Sequence, residues 1–149
     1  MKSNIDFIVF AIKQAREAES YGFSRNICCR NLKIAIHYYW QNKTLGLSGV
    51  SQKKNIPRSK RASKKELGEC DVEHVVPTMV IVNMLIDMKS LTNKKVENRL
   101  KKYLRVLVVT KEEHRKLNSS GLRYKMPEDW DSRTLWARYE KVGIERHQG

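Results

Sequence analysis

Two stretches hold the side chains with chemical potential. Cys70-Asp71-Val72-Glu73-His74-Val75-Val76-Pro77 sets an imidazole beside carboxylates at the edge of an apolar run. Val106-Leu107-Val108-Val109-Thr110-Lys111-Glu112-Glu113-His114-Arg115-Lys116-Leu117-Asn118 repeats that pairing further along the chain. Imidazole nitrogen and carboxylate oxygen together are a donor set for a divalent metal. Cysteine adds nothing to it: Cys28 and Cys29 are adjacent and Cys70 is remote, so there is no CxxC pair, and the thiols read as reduced. His37 has apolar neighbours at helical spacing and precedes Tyr38-Tyr39-Trp40, which marks it as a histidine packed beside core aromatics.

The elements that must position these groups follow from periodicity. Residues 106–109 are a β-branched and apolar run, hence a buried strand. Thr110 with Glu113 three residues later has capping-box spacing, so a helix starts there, with His114 in its first turns and Asn118 one turn on along the same face. Residues 71–76 read as a short strand ending at Pro77. Strand alternation points Glu73 and His74 to opposite faces, so the strand must bend or end there for both to serve one site. Asp71 shares the face of Glu73 and is the substitute ligand.

Between the strands, residues 78–88 are apolar nearly all round, and that helix should be buried or face a second subunit. Thr92 caps a further helix over 93–104, with Val96, Leu100, Tyr103 and Leu104 inside and Lys94, Lys95, Arg99, Lys101 and Lys102 outside. Upstream, 5–19 and 24–41 are amphipathic helices, the second using Ile27, Leu32, Ile34, Ala35, Tyr38 and Tyr39 as apolar surface. Downstream, Asp131 or Ser132 caps a last helix with Leu135, Trp136, Tyr139 and Val142 inside and Gly143 as its stop; Trp130 and Trp136 close the core, and Arg133 and Arg138 are candidate phosphate contacts.

At 149 residues and 40% hydrophobic content the chain can bury one core. The segments are 1–45 helical, 46–69 basic arm, 70–126 carrying the two stretches, and 127–149 the final helix and tail. A net charge of +14, from 30 Lys and Arg against 16 Asp and Glu, calls for a polyanionic partner, and nucleic acid is the natural one. Residues 45–65 contain no acid and read as a flexible, phosphate-contacting arm through Lys53, Lys54, Arg58, Lys60, Arg61, Lys64 and Lys65, with Arg105 and Arg115 beside the site. The N-terminus fits neither a secretory signal nor a membrane span, and the expected location is the cytoplasm. Walker, GxGxxG and GxSxG elements are missing, which excludes nucleotide-hydrolysing and serine-hydrolase chemistry.

Strand with His74, strand 106–109, helix with His114: these residues resemble the HNH nucleases of the ββα-metal superfamily. The resemblance rests on Glu73-His74-Val75-Val76-Pro77 and on 109–118, and covers about a third of the chain. It implies that His74 activates water, that Glu73 and His114 hold a divalent cation, and that Asn118 is a third oxygen ligand. The cation would be Mg²⁺, with Mn²⁺ or Zn²⁺ acceptable. The asparagine that HNH proteins carry near the second strand is replaced here by Arg105 or Val106, and 78–104 is a helical insertion. The implied fold is α+β, mainly helical, with a small ββα-metal core. The implied activity is metal-dependent hydrolysis of double-stranded DNA; separately, the apolar surface of 78–88 exceeds what a small core requires and predicts a homodimer. Two other readings stand beside it: a nucleic-acid-binding protein without chemistry, and an RNA-cleaving nuclease or toxin.

Overall fold

A computed structural model describes residues 1–43 and 53–148, with 41–43 described by their backbone alone. The expected boundary at 45/46 and the first part of the basic arm fall outside the described residues. In chain order the elements are α1 (Asn4–Ser20), α2 (Arg25–Cys28), α3 (Arg30–Lys43), 3₁₀ turns at Ala62–Lys64 and Leu67–Glu69, β1 (Cys70–His74), α4 (Thr78–Ile86), α5 (Asn93–Tyr103), β2 (Val106–Thr110), α6 (Lys111–Ser119) and α7 (Ala137–Val142). This is the mainly helical α+β arrangement expected. No described helix is long and apolar enough to cross a membrane.

Helix α1 starts at a capping box in which Ser3 and Asp6 bond each other's backbone N–H groups, and it buries Ile8, Val9, Ala11, Ile12 and Ala15. Those side chains meet Leu32, Ile36 and Tyr39 of α3, Ile81, Val82 and Leu85 of α4, and Val96 and Leu100 of α5 in one core. Each such aliphatic side chain contributes about 1.5–3 kcal/mol by leaving water. Helix α4 buries Ile81, Val82, Leu85 and Ile86 in this core and keeps Met79, Val80 and Met84 partly exposed. The single helix expected over 24–41 is instead two, because the chain turns at Cys29 (φ −88°, ψ 4°). Ile27, Ile34 and Tyr38, expected inside, are 69%, 48% and 58% exposed, and His37 is exposed too; the buried stripe of α3 is Leu32, Ala35, Ile36 and Tyr39.

Strands β1 and β2 pair antiparallel from Cys70↔Thr110 to His74↔Val106. The connection between them is α4 and α5, so the hairpin is closed by helices that themselves belong to the core. The basic arm differs from its expected flexibility over its described part. Ser59 N–H donates to the Val108 carbonyl at 2.9 Å, Val108 N–H to the Pro57 carbonyl at 2.8 Å, and His147 N–H to the Arg58 carbonyl at 2.8 Å. Ser59 and Ala62 are fully buried. A segment whose backbone completes the edge of a strand is held by that strand, whatever its charge.

Candidate metal centre on one face of the hairpin

The register sorts the hairpin's side chains into two sets. Asp71, Glu73 and Val75 share a face with Leu107 and Val109, and there Val75, Leu107 and Val109 pack on Leu117 of α6 and on Tyr139 and Val142 of α7. Cys70, Val72 and His74 share the other face with Val106 and Val108, which Trp40, Ile56 and Ala62 cover.

His114 reaches the first face from α6. That helix begins at Thr110, whose side chain accepts from Glu113 N–H at 3.1 Å while Glu113 accepts from Thr110 N–H at 2.9 Å, the capping box expected. Glu113 also accepts from the Ser59 hydroxyl at 2.6 Å, so the start of α6 is tied to the arm in a buried network. The fixed turn puts His114 Nδ1 at 3.4 Å from Asp71 Oδ2 and 3.5 Å from Glu73 Oε2. Nδ1 is buried and makes no hydrogen bond among the described residues. Asn118 lies one turn beyond, half-buried.

Glu73 is held from behind. Arg138 of α7, fully buried, donates from Nη2 to Glu73 Oε1 at 3.0 Å and to the His74 carbonyl. Its other nitrogens donate to the carbonyls of Val75 at 3.3 Å and Leu122 at 2.5 Å. Arg138 therefore faces no solvent phosphate, contrary to expectation. It fixes one carboxylate oxygen of Glu73 and leaves Oε2 turned to His114. An arginine is rarely buried unless paired; the signal in the sequence is its apolar setting between Leu135, Trp136 and Tyr139.

His74 is not brought to this trio. β1 runs straight through it, paired with Val106, so the bend required for a shared site does not occur. Its ring packs edge-on to Trp40 with centroids 6.2 Å apart. Burial pushes its pKa down to about 4, with the nearby His37 and Arg138 adding to the shift, and Nδ1 has no hydrogen-bond partner among the described residues.

The cations expected to touch phosphate are divided. Lys53 donates to the Cys70 carbonyl at 2.6 Å and is half-buried, Arg58 is half-buried, and Lys60 pairs with Glu145 at 3.1 Å. Lys54, Arg61, Lys64, Lys65, Arg105 and Arg115 are exposed. Cys28, Cys29 and Cys70 are free thiols.

Among the described residues, no three His, Cys, Asp or Glu side chains already form a cation-ready cluster. Asp71, Glu73 and His114 stop short of one, with a single nitrogen as their hub. Two donors each about 2.1 Å from one cation stand about 3.0 Å apart along an octahedral edge and about 3.4 Å apart along a tetrahedral one. The distances from Nδ1 match the tetrahedral spacing and exceed the octahedral one by about 0.4–0.5 Å, and they are long for hydrogen bonds. Compared with protein-family models, curated proteins and solved structures, the chain matches none.

Proposed function

We propose that the protein is a metal-dependent endonuclease that hydrolyses phosphodiester bonds of DNA, with its cation held by Asp71, Glu73 and His114. The observation that carries this reading is the buried, unbonded Nδ1 of His114 set between two carboxylate oxygens at 3.4 and 3.5 Å. A buried polar atom without a partner is costly, and one placed between two anions has the setting of a ligand. A divalent cation there supplies charge neutralisation at a scissile phosphate and lowers the pKa of water. Arg138 keeps Glu73 aimed, as groups behind a ligand commonly do. Asp71, 40% exposed, is the one of the two carboxylates more open to solvent. His74 has no part in this version of the site. The net charge of +14 supports a polyanionic substrate.

One observation favours the second reading, a nucleic-acid-binding protein without chemistry: the imidazole assigned as base by the HNH resemblance lies on the far face of the hairpin, beside Trp40. Incubation of purified protein with plasmid and linear duplex, with Mg²⁺ or Mn²⁺ and with chelator, separates the two. Chelator-sensitive cutting that disappears in His114→Ala and survives in His74→Ala supports the nuclease. Binding without cutting under every metal condition supports the second reading. RNA in a parallel reaction tests the third.

A further inference from the structure

The hairpin site needs a surface that carries the nucleic acid past it, and in the described part of the arm at 53–65 Lys53 is bonded to a carbonyl and Lys60 is paired with Glu145, while Lys54, Arg61, Lys64 and Lys65 are exposed singly. A cleft of about 660 Å³ lies elsewhere, lined by Lys89, Lys95, Arg99 and Lys102 over a floor that includes Met84 and Tyr103. Its one acid, Asp87, is already bonded by Arg25 at 2.8 and 3.0 Å, so its charge is answered outside the cleft. Two of the cations are pre-set: Lys102 Nζ stands 4.9 Å and the Arg99 guanidinium 5.9 Å from the centroid of the Tyr103 ring. Tyr103 is itself fixed, its hydroxyl donating to the Ser132 carbonyl at 2.7 Å. Four cations converging on a concave surface focus a positive potential that single exposed lysines do not.

Chain connectivity limits how far this cleft can lie from the hairpin site. Tyr103 is four residues before Leu107, which pairs with Glu73. At no more than about 3.6 Å per residue, plus one strand spacing of about 5 Å, Tyr103 is within about 20 Å of Glu73. A duplex turn is about 34 Å long, so this separation is shorter than one turn of duplex.

We infer that the α5 cleft binds the phosphate backbone of double-stranded DNA flanking the hairpin site. This rests on the nucleic-acid part of the proposed function and not on its chemistry, so a protein that binds without cutting still tests it. The test is fluorescence anisotropy with a short labelled duplex across a salt series, in EDTA so that no cleavage occurs. Removing one cation that neutralises a phosphate makes the slope of log K against log salt shallower by about one. The expected result is a slope shallower by about two and an affinity reduced at least about tenfold near 0.1 M salt for Arg99→Gln/Lys102→Gln. Lys89→Gln/Lys95→Gln, which leaves the Tyr103 ring and its two cations intact, should move the slope in the same direction, and Lys60→Gln/Lys64→Gln should move it less. Unchanged slopes in both cleft variants, with circular dichroism showing the fold retained, overturn the inference. So does saturable binding of inorganic tripolyphosphate at the cleft with an unchanged DNA slope, which would make it a small-anion site. Loss of cutting in His114→Ala with the DNA slope retained would separate the hairpin chemistry from the cleft.

Discussion

The two faces of the β1–β2 hairpin differ by one residue step and by nearly everything else. On one, Asp71 and Glu73 face His114, with Arg138 behind them, so charge is met by charge. On the other, His74 stands among Trp40, Val72 and Val106, and burial keeps it neutral. Neighbours in a strand are strangers in space. A pair of adjacent residues with matching chemistry, such as Glu73-His74, is a motif on paper that the pleat divides between two environments.

The comparison breaks most severely at Arg138. Arg138→Ala would take its donor from Glu73 and from the carbonyls of Val75, Leu122 and Arg123 and leave the His74 carbonyl only the Tyr139 hydroxyl at 3.4 Å, and the expected loss is about 3–5 kcal/mol of stability, read as the urea midpoint. The far face should answer to pH instead. His74 takes up a proton near pH 6.5 when unfolded but only near 4 when folded, so its contribution is fully present above about 6.5 and is lost as pH falls toward 4. The change amounts to at most about 3 kcal/mol. Unfolding free energies measured between pH 4 and 7 should slope upward with pH, and His74→Gln should flatten the slope.

Smaller effects sharpen the same contrast. Ser59→Ala removes the hydroxyl that bonds Glu113 and that caps Ala62 N–H, and should cost about 1–2 kcal/mol by thermal or urea unfolding. Asp71→Asn, at an open position, should change stability by less than about 0.5 kcal/mol while still weakening the site for a cation.

What the chain makes legible ahead of its structure is local. Thr92 and Thr110 announce helix starts, and both cap as expected. The β-branched run at 106–109 forms its strand, and strand alternation already places Asp71 with Glu73 and apart from His74. The missing knowledge is long-range. Nothing near Cys29 shows that the chain turns there, and apolar type alone puts Ile34 inside although the helical spacing of Leu32, Ala35, Ile36 and Tyr39 leaves it and His37 on the outer side. Ser59 and Glu113 are 54 positions apart and meet only because Pro57, Arg58 and Ser59 lie along the strand edge. Arg138 reads as a surface cation because its partners, Glu73 and the carbonyls of Val75 and Leu122, come from other parts of the chain.

Calorimetric titration of Mn²⁺ into the protein and its single-residue variants addresses the two faces together. One saturable site is expected, weakened at least about tenfold by Glu73→Gln and by His114→Ala and unmoved by His74→Ala. Equal losses from His74 and His114, or no binding by the unsubstituted protein, would contradict the assignment of the cation to the face of Asp71 and Glu73.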